Sequence, residues 1–348
     1  MLASVPTGVD AARLVDEVVP LQSEEIVIPA AGVRSLRWDG ETLVDDADGG
    51  ARFDLDGTVH GRRFGVSFRF DRAVVSPTGR FTVLLERYGT KAVLFDQGRV
   101  LRELDRSFYF ANVYEYPFTF LLLPDGREAI AHCPRKYCRI DIEEAATGCC
   151  LTDGVDRKPI DLFHSRLAMS PGGKWLASAG WYWHPFDVAN VWSIEDVLAD
   201  PRVLDQDGVR LGLDHEVESL LFLDDTRLLL ACGADNLDDV PTTPSLRLLE
   251  LPSARALAQV ARPMPNGTLV PFDREHVLAL YEHPRLVRLA DGVVVREWPH
   301  LPTGRQRSSI GWLRGTRTLE AIPPFAKHPQ APMFAVAAAD RITVVRLR

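Results

Sequence analysis

Along most of the chain, short apolar runs alternate with tight polar turns, and the turns recur at a near-regular interval. Ala73-Val74-Val75 leads into Ser76-Pro77-Thr78-Gly79-Arg80 and then Phe81 to Leu85. Phe120 to Leu123 leads into Pro124-Asp125-Gly126-Arg127 and then Glu128 to Cys133. Leu167-Ala168-Met169 leads into Ser170-Pro171-Gly172-Gly173-Lys174 and then Trp175 to Gly180. Leu220 to Leu223 leads into Asp224-Asp225-Thr226-Arg227 and then Leu228 to Gly233. Fainter copies turn at Asp39-Gly40, Asp273-Arg274 and Pro329-Gln330. Runs rich in Val, Leu, Ile and Phe, punctuated by Pro, Asp and Gly, read as strands joined by hairpins. The seven turns begin at positions 39, 77, 124, 171, 224, 273 and 329. That interval suits a four-stranded propeller blade with extra residues in its loops. The pattern predicts an all-β chain folded as a closed β-propeller of about seven four-stranded blades.

Helical periodicity is nearly absent. Ser193 to Ala199, with a capping serine and acidic residues behind it, predicts one short helix. The last copy runs from Met333 to Ala338 and then Arg341 to Leu347, leaving no residues for a fourth strand. Glu25-Ile26-Val27-Ile28 precedes the first copy and has no blade of its own. Pairing the two closes the ring and removes an exposed sheet edge. Leu14 to Leu21 is the other candidate for that closing strand. The expected organisation is an N-terminal segment, residues 1–24, and one propeller domain, residues 25–348.

The Ser-Pro-x-Gly-Arg/Lys turns between apolar strands resemble those of the WD-repeat and related bacterial propeller families. The resemblance spans most of residues 31–348 but rests on a short motif. The Gly-His pair that opens a WD-repeat blade is missing. The Trp-Asp pair that ends its third strand is missing too, because Trp38-Asp39 falls in an inter-strand turn. The resemblance therefore implies the fold and a binding role, and no catalytic residue.

Composition narrows the partner class. The chain has 348 residues, 46% hydrophobic and 25% charged, a balance that suits a packed globular protein. Its formal net charge of -8 argues against a broad nucleic-acid-binding surface. No apolar run approaches the roughly 20 residues a membrane-spanning helix needs. Residues 1–20 hold Asp10, Asp16 and Glu17 and lack the basic head and apolar run of a secretion signal. Five cysteines, an odd number in a chain this long, do not describe a disulfide framework. The expected setting is the cytoplasm, without nucleic acid or membrane as partner.

Familiar catalytic strings are absent: no nucleophile elbow, phosphate loop, zinc-protease helix or dinucleotide fingerprint. Cys133, Cys138, Cys149 and Cys150 crowd one blade. Their spacing is looser than that of paired zinc knuckles, and adjacent strand residues face opposite ways. They read as inert thiols, so neither a metal nor a cofactor is expected. The acidic stretches Asp45 to Gly49 and Asp235 to Asp239 lack the ligand spacing of a calcium loop.

Two features remain as candidate chemistry. Aromatic residues gather at Phe108-Tyr109-Phe110 with Tyr114 and Tyr116, before the third blade, and at Trp181-Tyr182-Trp183-His184-Pro185-Phe186, in the loop after the second strand of the fourth. Both segments open on the same face of a propeller. Trp and Tyr dominate binding hot spots, so Tyr109, Tyr114, Trp181, Tyr182, Trp183 and His184 form the expected partner-binding surface. Aligned on the turns, Glu115, His164, His215 and Glu216, with Glu218, fall at the entries of first strands and could converge at the mouth of the channel. Carboxylates and imidazoles in one cleft can do acid–base work. Two functions follow: a non-catalytic scaffold binding a protein or peptide through one loop face, or a hydrolase or lyase with its site at that mouth.

Overall fold

In the computed structural model, the described residues are 22–348 apart from 66, 184–185, 214, 237–242, 263 and 312–320. Among them, seven antiparallel sheets are arranged as the blades of a propeller. The first strands are Arg37–Asp39, Arg72–Val75, Phe118–Leu122, Leu167–Met169, His215–Phe222, Leu269–Pro271 and Phe325–Lys327, in blades 1 to 7. They stand side by side around the axis. Five blades have four strands. In blade 3 the outermost position shrinks to a bridge between Glu143 and Cys150. In blade 4 it is replaced by the helix Ile194–Ala199, a turn of tighter helix at Pro201–Asp205, and a bridge from Val191 to Gly208. Ser193 caps the helix by accepting a hydrogen bond from the Asp196 N–H, as its sequence predicts.

The hydrophobic pattern explains the ring. Strand Arg227–Asn236 runs Leu228, Leu229, Leu230, Ala231, Cys232 without a polar break. Leu228, Leu230 and Cys232 pack towards blade 4, and Leu229 and Ala231 towards blade 6. A strand buried on both faces needs apolar residues at every position, not at alternate ones. The same holds around the molecule: separate apolar clusters join blades 1 and 2, 2 and 3, 3 and 4, 4 and 5, 5 and 6, 6 and 7, and 7 and 1.

The Ser-Pro turns serve as local staples. The Ser76 hydroxyl accepts from the Phe81 N–H at 3.0 Å, and the Ser170 hydroxyl from the Trp175 N–H at 3.1 Å. Gly79 and Gly173 sit at φ +78° and +77°, where a side chain is strained. In blade 7 the His328 Nδ1 does the serine's work, accepting from the N–H groups of Gln330 and Ala331.

The ring closes on the N-terminal strand. Ser23–Pro29 pairs antiparallel with Arg341–Leu347, from Ser23 opposite Leu347 to Pro29 opposite Arg341. The outermost strand of blade 7 thus comes from the other end of the chain, as predicted for Glu25 to Ile28. The other candidate, Leu14 to Leu21, lies outside the described residues. Because strands alternate in direction, each first-to-second-strand turn lies on one face of the disc, here the turn face. The loops between second and third strands, and the connections between blades, lie on the other, the connecting face.

Candidate functional site

The aromatic segments meet on the connecting face, between blades 3 and 4. Arg106, buried at the end of blade 2, fixes the connection that follows it. Its guanidinium donates to the carbonyls of Gly89, Ala111, Tyr114 and Glu115 and lies over the rings of Tyr114 and Tyr116. The chain between is held as a loop that carries Phe108, Tyr109 and Phe110.

On blade 4, the second and third strands extend further than the sequence repeat predicts. They run Trp175–Tyr182 and Phe186–Ser193, so Trp181 and Tyr182 belong to a strand and not to a loop. The reason is a second pairing edge: Phe163 exchanges backbone hydrogen bonds with Trp181, at 2.9 and 3.0 Å. Gly180 permits it, since a Cβ there would meet the Phe163 carbonyl oxygen at 2.3 Å. This pairing stacks Phe163 on Trp181, with ring centres 4.1 Å apart and planes 10° apart. Tyr137 stacks on the other side of Phe163 at 4.2 Å, and Tyr109 lies against Tyr137 at 5.1 Å. Trp183 and Phe110 meet edge to face at 5.0 Å.

This arrangement divides the expected surface. Tyr114 and Trp181 are buried and form, with Val113 and Phe163, the floor of the cluster. They carry the surface from beneath and do not present a ring to solvent. Trp181 and Trp183 stack with ring centres 6.0 Å apart, but Trp183 lies in the turn beyond the end of the strand and is exposed where Trp181 is buried. Phe108, Tyr109 and Trp183 are 86%, 44% and 50% exposed. Tyr182 is half-buried, its hydroxyl 3.2 Å from an Asp207 carboxylate oxygen. His184 lies outside the described residues. Tyr137 was not visible as a member of this group: it sits alone in the hairpin of blade 3, with no aromatic neighbour in sequence.

The charged residues converge less than their sequence alignment suggests. Glu115 is buried and held by Arg166 Nε at 2.8 Å, Gln306 Nε2 at 2.9 Å and Arg72 Nη1 at 3.5 Å. Burial alone would raise its pKa; Arg166, Arg87 and Arg72 outweigh that and hold it down at about 2. His164 is fully buried, with Nδ1 3.2 Å from the Ser178 hydroxyl, and burial lowers its pKa to about 3. It lies edge to face with Trp192 in the body of blade 4. Glu216 and Glu218 are buried on the first strand of blade 5, where Arg307 reaches Glu218 at 2.5 Å. Asp187 lies beside them, and burial together with Glu216 pushes its carboxyl well above the usual carboxylate range. His215 begins the same strand.

A feature not legible in the sequence covers this mouth. After blade 6 the chain bridges Glu282 and Gly304, then crosses the channel to the opposite side of the ring. There Ile310 pairs with Tyr114, the Glu115 N–H donates to the Ser309 carbonyl, and the Gly311 N–H donates to the Val113 carbonyl at 2.7 Å. Gln306 also donates to the Tyr88 hydroxyl. Residues 304–311 are a strap, in which Arg307 pairs with Glu218 and Gln306 donates a hydrogen bond to Glu115. Among the described residues no group of His, Cys, Asp and Glu is placed to hold a metal ion. Cys133 and Cys138 are buried, while Cys149 is exposed.

No family model matches the chain, and no curated protein matches it in sequence. Solved structures resemble it in fold. The Cps50 (Swd1) β-propeller domain from Myceliophteria thermophila has a TM-score of 0.59 at 13% identity, over 92% of this chain and 98% of that one. Kuenenia stuttgartiensis hydrazine synthase has a TM-score of 0.57 at 13% identity, over 90% of this chain and 95% of that one. At such identities the likeness extends to the propeller fold alone.

Proposed function

We propose that the protein is a non-catalytic propeller scaffold that binds a protein or peptide partner through its connecting face, at the aromatic patch between blades 3 and 4. The observation that carries this reading is the exposure of Phe108, Tyr109 and Trp183 above a rigid stack of buried rings. Exposed aromatic area is costly unless something covers it, and rings on a preorganised base lose little entropy when they bind. The alternative, an enzyme with its site at the channel mouth, has less support. Glu115 is engaged by Arg166, Arg72 and Gln306 beneath the strap, and His164 is shut away from water in the body of blade 4. Five cysteines without a disulfide accord with a cytoplasmic setting.

A photo-crosslinking amino acid in place of Phe108 tests the reading in the native host. The expected result is a discrete crosslinked product with a protein or peptide. The same group in place of Val100, exposed on the outer edge of blade 2, should give none. Equal crosslinking from both positions would sink it.

A further inference from the structure

The turn face carries a cleft of about 620 Å³ between the first strands of blades 5, 6 and 7. Its walls include Leu223, Val270, Phe272 and Phe325, and two cations, Arg274 and Lys327, stand in it. The Lys327 ammonium lies 5.8 Å from the centre of the Phe272 ring. The one carboxylate in the lining, Asp273, is already occupied: it accepts from the N–H groups of Glu275 and His276 and lies 3.0 Å from His276 Nδ1. Neither Arg274 nor Lys327 has a carboxylate within ion-pair distance among the described residues. The cleft is therefore apolar with a net positive charge, and it suits a segment that is apolar with a negative one.

Such a segment lies next to it in the chain. The closing strand starts at Ser23, opposite Leu347. Across blade 7 the same row runs through Met333, opposite Arg346, and Lys327, opposite Phe334. Ser23 thus sits at the turn-face end of blade 7, three strands outward from Lys327. At about 4.8 Å per strand that is about 15 Å. The preceding residues are Leu14-Val15-Asp16-Glu17-Val18-Val19-Pro20-Leu21. Glu17 is six residues before Ser23, a reach of about 20 Å when extended. The closing strand itself is Ser23–Pro29, and this apolar, acidic run precedes it in the chain.

We propose that Leu14 to Leu21 of this chain dock in the turn-face cleft of the same molecule, with Asp16 and Glu17 on Lys327 and Arg274 and the flanking valines and leucines on Phe272 and Phe325. The full chain, treated at high dilution with a carbodiimide that joins a lysine directly to a carboxylate, tests this by mass spectrometry. Lys91 and Asp105, 2.6 Å apart, provide the internal control. The expected result is an amide between Lys327 and Asp16 or Glu17 in a species of one chain's mass. The control linkage without the Lys327 linkage would overturn the proposal, as would a Lys327 linkage confined to a species of twice that mass. A second readout does not depend on the lysine as a reactant. Release of residues 1–17 by a glutamate-specific protease should be about tenfold faster in Arg274→Glu/Lys327→Glu, because cleavage follows the undocked population. Equal release from both proteins, with the propeller intact, would also overturn it.

Discussion

Trp181 and Trp183 stand two positions apart and have opposite environments, one beneath the connecting face and one on it. Replacing a buried indole in a stacked cluster removes both its transfer energy and its contacts. Trp181→Ala should therefore destabilise the fold by about 3 kcal/mol or more in denaturant titrations. Trp183→Ala should change stability by less than about 1 kcal/mol. Equal losses would mean that Trp183 is part of the core. Glu115 is a different case, because its partners remain when it is lost. Glu115→Gln leaves Arg166 and Arg72 without their carboxylate, and breaking a buried ion pair in this way costs about 3 kcal/mol. Acid should weaken the fold through two groups, His164 alone above about pH 4.5 and both below it. His164 is held at about 3 in the fold against a usual 6.5. The unfolded chain therefore takes up a proton that the folded chain refuses, and stability falls as pH drops through 6.5 towards 3. Glu115 is held at about 2 against a usual 4.5, so its contribution is complete above 4.5 and lost as pH falls towards 2. In His164→Asn, the melting temperature should be flatter between pH 6.5 and 5 than in the native sequence. An unchanged slope there would mean that His164 is not the neutral buried group described.

At the scale of the element, the Ser-Pro-x-Gly turns and the closing strand were legible, because each is a local signal: a hydroxyl cap, a positive φ, an unpartnered apolar run. The long hairpin of blade 4 was not. Its extra length depends on Phe163, which precedes its partner Trp181 by 18 residues in sequence, and on the missing side chain at Gly180. Gly180→Ala should accordingly destabilise the protein although alanine is the smallest change, since the Phe163 carbonyl leaves no room for it. The strap was equally invisible. It pairs residues near 310 with residues near 114 across the ring, and no period or composition links the two. Of the candidate charged residues, Glu115 and Glu218 meet the strap while His164 lies in the body of blade 4, and the arginines, glutamine and strap that engage the carboxylates had no signal in the sequence. The closure also gives a direct prediction. Removing residues 1–29 takes away the outer strand of blade 7 with buried Ile28 and should lower stability by several kcal/mol. An unchanged melting temperature after that deletion would contradict the closure.

At the scale of the molecule, seven interblade clusters make a rigid disc whose two faces carry different chemistry. The turn face has a cationic, apolar cleft, and the connecting face has exposed rings on a buried stack beside a strapped channel mouth. The central claim is that those rings bind a protein or peptide. The most direct measurement is the affinity of the crosslinked partner, once purified, for the native protein and for Tyr109→Ala/Trp183→Ala at matched folding stability. The account predicts a loss of about 2 kcal/mol or more in binding, roughly thirtyfold in Kd, with the melting temperature unchanged. Undiminished affinity in the doubly substituted protein would contradict it.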